Sequence, residues 1–505
     1  MFDIVGFADL DALATADDAA VVAAISGWAA VEAAAAARRL AAIAELVKRR
    51  WVGPDGCDRW VLDSWEAAAA EVSAALNVTR GAASGQMYLA NALRNRLPKV
   101  AAVFAAGKIS ARLVSMIAWH TTLITDLDAM GRVDAALAAR VTKWERLSVH
   151  KTAEKIEAIV DSYDPGALRR TREQARSRDV VIDKKAENSC GITAFWGRLY
   201  TTDATVLDRR LDQLAREVCD ADPRTVAQRR ADALGVLAAG GEHLVCGCGQ
   251  PDCPAGDRPR ASGVVIHVVA DAVSVAAPAD PELSGEDDPA DSEAPDTEPE
   301  TEPETEAGRP SLLMGSGVLP HPLLGELIRN GATLRPVRHP GDSPAESGYH
   351  PSRALADFVR CRDLTCRFPG CERPAEFCDI DHTVPWPTGP THASNLKTLC
   401  RAHHLLKTFW PGWRDQQRPD GTIIWTAPSG HTYTTRPGSS LLFPTLCLPT
   451  GDLPTPPPGR PPSPGRTLKM PTRARTRAQD REYRIKAERA LNAAHVAERN
   501  QPPPF

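Results

Sequence analysis

No stretch of the 505-residue chain approaches the roughly 18 uninterrupted apolar residues that a membrane-spanning helix needs. The opening, MFDIVGFADLDALATADDAA, lacks the basic n-region and apolar h-region of a secretory signal. Charge of one sign is not in excess either. With 60 basic against 64 acidic residues, the average composition argues neither for nor against a nucleic-acid partner. No internal repeat is evident. The disulfide framework of a small secreted protein is also missing, because the 12 cysteines are scattered or bunched at metal-ligand spacings. These absences point to an intracellular, reducing, cytoplasmic setting with no membrane partner. Where the cysteines bunch, metal is expected before disulfide.

The length suggests two to four domains at roughly 100–200 residues each. Residues 14–50 are Ala-rich and almost free of Gly and Pro, and Arg and Lys gather at the end where a helix dipole favours cations. The stretch EVSAALNVTRGAASGQMYLA resembles a helix-turn-helix, with Arg80 and Arg94 as candidate DNA contacts. An ordinary helical hairpin is the alternative. Helical patterning runs on to about Ala158. RDVVIDKK and GITAFWGRLYTT then read as a β-hairpin across an AENSCG turn. A further helix carries DPRTVAQRRADALGVLAAGG, and SGVVIHVVADAV reads as a strand. Residues 1–277 therefore form a mainly α-helical region.

From Asp280 to Glu306 the chain is almost only Asp, Glu, Pro, Thr, Ser and Ala, and holds 13 acidic residues. Too little apolar surface is present to offset ordering entropy, so residues 278–309 are expected to be a disordered linker. Without it the remainder carries 60 basic against 51 acidic residues and is net basic. A C-terminal module spans 310–440, with a β-meander whose turns fall at Pro419-Asp420-Gly421 and Pro428-Ser429-Gly430. Residues 441–505 begin Pro-rich and turn into a basic helical tail. That tail reads as either solvated or in contact with nucleic acid. The fold class is α+β.

Chemistry concentrates in CDIDHTVPWPTGPTHASNLKTLCRAHH, residues 378–404. TCRFPGC supplies Cys366 and Cys371, and LCRAHH supplies Cys400 and His403. A C-x4-C and a C-x2-H knuckle make the four ligands of a closed tetrahedral zinc. Cys378 competes for one position, and Cys361 is a further thiol just upstream. Asp381, His382, Asn395 and His404 are left over inside the loop that this zinc would close. A carboxylate and an imidazole suit a catalytic divalent ion with open positions. A second histidine can act as general base near neutral pH, and an amide can pin a loop. His404 and Lys407, three apart on a helix, could face one phosphate.

With thirteen residues from His382 to Asn395 and nine more to His404, between paired knuckles, this stretch resembles an HNH nuclease of the ββα-metal class. More closely, the chain is similar to actinobacterial proteins, many of them mycobacterial repeat-family members, that place a domain of unknown function ahead of such a module. EVSAALNVTRGAASGQMYLANALRNRLPKVAAVFAAGKISARLV, DPRTVAQRRADALGVL, FVRCRDLTCRFPGCERPAEFCDIDHTVPW and NLKTLCRAHHLLKT carry that likeness across most of residues 20–440. The resemblance implies a zinc-stabilised ββα-metal module that hydrolyses DNA phosphodiester bonds. It implies His382 as general base, Asp381 and His404 on one Mg²⁺ or Mn²⁺ ion, Asn395 holding the loop, and Cys366, Cys371, Cys400 and His403 on Zn²⁺.

A second bunch, EHLVCGCGQPDC, places Cys246, Cys248 and Cys253 within eight residues, with His243 three before the first. With His243, Cys219 or Cys190 as fourth ligand these could form another zinc site. Reduced cysteines in a Gly-rich loop are the alternative. Two readings of the whole remain beside the nuclease: a catalytically inactive, zinc-stabilised DNA-binding or regulatory protein, and an N-terminal scaffold whose Ala-rich helices permit self-association into a homo-oligomer.

Overall fold

The computed structural model describes residues 13–51, 56–144, 147–168, 179–182, 193–199, 201–255, 267–275, 311–314, 317–319, 321–329, 331–453 and 469–499. The acidic segment, the AENSCG turn and Cys190 lie outside the described residues.

Helix α1 runs Asp18–Arg50, capped by the Asp17 carboxylate, which accepts from Ala20 N at 2.7 Å. By length and composition it matches a membrane span, because alanine raises hydropathy without forming an unbroken apolar run. This differs from the expectation of no such segment. Its C-terminal half nevertheless buries Ala33, Leu40, Ile43, Ala44 and Val47 in the helical core, a stripe at helical spacing. Helices α2 (Ser64–Leu76), α3 (Arg80–Asn95), α4 (Pro98–Ala105), α5 (Ala111–His120), α6 (Leu127–Arg140) and α7 (Val149–Tyr163) complete that core around Met87, Phe104, Ile117, Val133 and Ile156.

Helix α2 has two buried faces. Ala68, Ala69 and Val72 pack into the helical core. Ala67, Ala70 and Ala74 pack into a different core, with Phe368, Trp413 and Trp425 of the C-terminal module. Alanine is what lets the second layer come close, since Ala67, Ala70 and Ala74 add little bulk on that face. Gly370 belongs to the same contact: a Cβ there would lie 2.8 Å from the Val78 carbonyl, in the turn that ends α2.

The two arginines of the α2–α3 pair each meet a carboxylate at the surface. Arg80 is paired with Glu66 at 2.6 Å and Arg94 with Glu45 at 2.9 Å. Ala82, Gly85 and Leu89 of α3 line a groove of about 2240 Å³ whose other wall is the C-terminal helix.

Strands β1 (Asp179–Ile182) and β2 (Phe195–Arg198) form the expected antiparallel hairpin. Helices α8 (Thr201–Ala215) and α9 (Val226–Ala238) pair around Leu214, Ala233 and Leu244. Strand β3 (Val268–Val269) pairs with β4 (Ser311–Leu313), which pairs with β5 (Gly317–Leu319), so one small sheet lies on both sides of the acidic segment.

After α10 (Ala272–Val275), before β4, and α11 (His321–Arg329), after β5, comes α12 (Arg353–Asp363). Next is an antiparallel hairpin of β6 (Cys378–His382) and β7 (Leu396–Cys400), followed at once by α13 (Arg401–Phe409). The expected meander follows as β8 (Arg414–Gln417), β9 (Ile423–Thr426) and β10 (Thr432–Thr435).

The basic tail is anchored along one face, while Arg481, Tyr483, Arg484 and Lys486 stay exposed. Helix α14 (Arg477–Arg499) lies on the helical region. Arg477 meets Asp63 at 3.0 Å and Glu66 at 2.8 Å, Arg489 meets Asp164 at 2.7 Å, and Asn492 donates to the Gly166 and Leu168 carbonyls.

Ala70 is 2% exposed between the two cores. Ala70→Leu is expected to overpack that layer and cost about 1–3 kcal/mol, read as a lower thermal midpoint by circular dichroism.

Candidate metal centres and active site

Cys366, Cys371, Cys400 and His403 bring their four donor atoms within 4.8 Å of one another. His403 Nδ1 lies 3.4 Å from Cys366 Sγ and 3.2 Å from Cys400 Sγ. Donors on one tetrahedral zinc, with bonds of about 2.3 Å to sulfur and 2.0 Å to nitrogen, sit about 3.5–3.8 Å apart. The residues present therefore fit a metal such as zinc. Burial pushes the Cys366 thiol up, while hydrogen bonds from Cys366 and Cys371 pull the Cys400 thiol down. The Phe368 ring stacks on His403 at 3.9 Å and fixes its plane. Cys378 stands outside the group, directed at the Arg373 and Pro374 carbonyls. Cys361 is separate, and burial pushes its thiol up to about 12.

The hairpin register puts Asp381 opposite Lys397 and His382 opposite Leu396. Asp381 is 7% exposed and engaged by two ammonium groups, Lys397 Nζ at 2.8 Å and Lys407 Nζ at 2.6 Å. Burial opposes ionisation of Asp381, but Lys397 and Lys407 overcome it and hold the carboxyl well below the usual range. Lys397 also pairs with Asp415 at 2.6 Å and is wholly buried. Lys407 reaches the His382 carbonyl at 2.5 Å. It is thus a buried partner of Asp381, where the sequence suggested a phosphate contact. Burial draws its pKa below that of an ordinary lysine.

Both lysines sit on Asp381 Oδ2, so Oδ1 is left facing His404 Nε2 at 3.5 Å. His404 Nδ1 lies 2.9 Å from Asp379 Oδ2, which fixes Nδ1 as the donor in the neutral ring. Nε2 then turns its lone pair toward a carboxylate oxygen. Two acceptors facing each other fit a cation between them, and Asp379 is the outer carboxylate that orients the imidazole.

His382 Nε2 lies 2.8 Å from Thr391 Oγ1, whose hydroxyl donates to the Gly348 carbonyl at 2.6 Å. A hydroxyl has one proton, so His382 Nε2 must donate, and the basic lone pair falls on Nδ1. Burial pushes the His382 pKa down to about 4, with Asp381 opposing and both lysines reinforcing. The ring stacks at 5.4 Å on half-exposed Tyr349, which also meets Trp386 edge-on.

Asn395 spans the loop between the strands. Its Nδ2 donates to the Val384 and Pro390 carbonyls at 3.0 and 2.8 Å, and its Oδ1 accepts from Val384 N at 2.8 Å. Gly389 lets the loop close: a Cβ there would lie 2.2 Å from the Val384 carbonyl. Beneath it, buried Arg362 donates to the Ala393 and Leu396 carbonyls at 2.9 and 2.7 Å.

Lys397, Asp415, Asp379, Thr391, Tyr349 and Arg362 are missing from the set that the sequence suggests. Of these, Asp379, Thr391 and Lys397 lie in the quoted stretch, and nothing about their types marks them.

The second bunch of thiols comes together as Cys219, Cys246, Cys248 and Cys253, again within 4.8 Å. This group too could hold a metal. His243, the nearest in sequence of the candidate fourth ligands, is not in it; its Nδ1 lies 3.0 Å from Glu217.

The chain belongs to the family described as Domain of unknown function (DUF222), whose model matches residues 28–295. That span covers the helical region and stops short of the β6–β7–α13 hairpin and helix. The whole chain is 57% identical over 516 residues to the uncharacterized protein Rv2100 of Mycobacterium tuberculosis strain H37Rv, covering 100% of this chain and 93% of that protein. It is equally 57% identical over 508 residues to the uncharacterized protein Rv3776 of the same strain, covering 100% and 95%. No solved structure matches the chain.

Cys400→Ser is expected to remove one equivalent of zinc and to shift tryptophan emission to the red. Trp413 and Trp425 pack edge-on against the Phe368 ring that stacks on His403, so loosening the knuckles admits water to both indoles.

Proposed function

We propose that the chain is a metal-dependent HNH endonuclease that hydrolyses DNA phosphodiester bonds at the β6–β7–α13 site. The observation that carries this reading is the His382–Thr391–Gly348 relay, which makes Nδ1 of a buried, neutral imidazole the available base. Its low pKa keeps His382 unprotonated at neutral pH, so Nδ1 can take a proton from an attacking water. Asp381 Oδ1 and His404 Nε2 would hold a Mg²⁺ or Mn²⁺ ion, which when bound supplies charge stabilisation at the scissile phosphate. Asp379 keeps His404 in the required tautomer, and Asn395 holds the loop at the geometry that sets His382 beside Asp381. A knuckle-bound zinc would be structural, because its four protein ligands leave no open position. DNA as substrate and reduced thiolate ligands are consistent with a cytoplasmic location. Self-association through the helical region is compatible with the exposed Val22, Ile25 and Trp28 of α1.

One observation favours a second reading, a zinc-stabilised DNA-binding or regulatory protein without catalysis. Two ammonium groups on Asp381 already neutralise the only carboxylate offered to the ion, which weakens its attraction for a second cation.

Purified protein with Mg²⁺ or Mn²⁺ is expected to nick supercoiled plasmid, and His382→Ala to slow nicking by about 10²–10⁴-fold with zinc content unchanged. Absence of cleavage by zinc-loaded wild type on plasmid, linear and branched DNA would establish the second reading instead. Calorimetric titration with Mn²⁺ separates the two at the level of binding: a site present in wild type and absent in Asp381→Asn agrees with the nuclease, and no site in wild type agrees with the alternative.

A further inference from the structure

We infer that Cys219, Cys246, Cys248 and Cys253 form a second, structural zinc site, a tetrathiolate that fastens the turn after α8 to the loop after α9. It lies outside the proposed nuclease centre and does not rest on that reading.

Cys219 Sγ and Cys246 Sγ are 3.5 Å apart, and all four sulfurs lie within 4.8 Å. A disulfide requires about 2.05 Å, whereas thiolates on one zinc sit about 3.8 Å apart at bonds of about 2.3 Å. The spacing is that of ligands.

The frame that holds the thiols is built from residues that are not ligands. Asp222, its side chain wholly buried, accepts from Gly247 N at 2.7 Å. Arg224 clasps Asp222 at 2.7 Å and reaches the Val245 carbonyl at 2.7 Å, so the strand of chain entering Cys246 is fixed from two sides. Cys246 N donates to the Ala255 carbonyl at 2.9 Å, closing the loop that carries the last three thiols. Gly249, at φ +66°, supplies the left-handed residue the turn between Cys248 and Cys253 requires.

Around this frame the apolar core is very small. Among the described residues one cluster buries Leu214, Ala233 and Leu244, with Leu211, Val218, Val236 and Leu237 packed against it, and the next is Cys246, Cys253 and Ala255. A unit of this size needs a cross-link that its core does not provide, and a structural metal is the usual one. Four sulfur donors select a soft or borderline ion such as Zn²⁺ over Mg²⁺ or Ca²⁺. They also leave no open position for a substrate, so the site is structural.

His243 is the competing fourth ligand, and the fold leaves it out of the group of donor atoms that lie within 4.8 Å of one another. It is half-exposed and its Nδ1 is engaged by Glu217. Cys219 takes the place instead, 27 residues before Cys246.

The test is zinc per full-length chain, measured by plasma mass spectrometry on protein expressed with zinc supplied. Wild type should hold two. Cys219→Ser and Cys248→Ser should each hold one, as should Cys371→Ser in the other cluster, while His243→Ala should keep two. Should Cys219→Ser fail to fold, Cys371→Ser loaded with Co²⁺ reads the second cluster intact: it should show thiolate-to-metal charge-transfer absorption. One zinc in wild type that Cys371→Ser abolishes, a His243→Ala variant that drops to one, or no thiolate–Co²⁺ band in Cys371→Ser would each overturn the assignment. Plasmid cleavage plays no part in this readout, so an inactive nuclease centre leaves the result unchanged.

Discussion

The architecture depends on one helix having two insides. Helix α2 gives Ala68, Ala69 and Val72 to the helical core and Ala67, Ala70 and Ala74 to the core beside the Cys/His knuckles. Burial on both faces is ordinary for a strand inside a sheet but costly in side-chain room for a helix, whose neighbours stand about 8–10 Å away axis to axis. Alanine resolves this, since it has high helix propensity and almost no bulk. Around that helix the charges are organised too: Asp63 caps it and receives Arg473 and Arg477 from the far end of the chain, and buried Glu71 receives Arg50. The helical region and the metal module are therefore joined by packing as well as by sequence.

A second set of constraints surrounds Asp381. Asp381, Asp415, Lys397 and Lys407 form a buried lattice of alternating charge in which each ammonium faces two carboxylates. Taking one member from such a lattice leaves an uncompensated buried charge, typically at a cost of about 3–5 kcal/mol. Both oxygens of this carboxylate are thus engaged: Oδ2 belongs to the lattice and Oδ1 faces His404. His382 is tuned from the same source, because burial and the two lysines keep its imidazole neutral against the pull of Asp381.

Legibility in the sequence followed distance along the chain. The knuckle ligands Cys366, Cys371, Cys400 and His403 come in two short pairs with recognisable spacing, and the fold brings both pairs together. The β1–β2 hairpin and the β8–β9–β10 meander were readable from alternation and turn residues. Cys219 was only one of three candidates for the fourth thiol position, because it lies in a different element from Cys246. Lys397 and Asp415 carried no signal, since a buried ion pair across strands looks in sequence like two solvated charges. Helix α14 misled in the same way: Arg477 and Arg489 read as free positive charge, yet their partners Asp63 and Asp164 lie more than three hundred positions away. The Ala-rich character of α2 announced a helix but not that both sides would be covered.

The pairing of β3 with β4 changes what the acidic segment is. Val268 and Val269 lie beside Leu313 and Leu312, so the chain leaves a small sheet and re-enters that same sheet next to where it left. The described residues on either side of the segment thus meet in one sheet. For a chain between fixed neighbouring ends, a doubling of length costs only about 0.6 kcal/mol of closure entropy. A change in the length of the chain between β3 and β4 therefore costs little so long as the two strands stay paired.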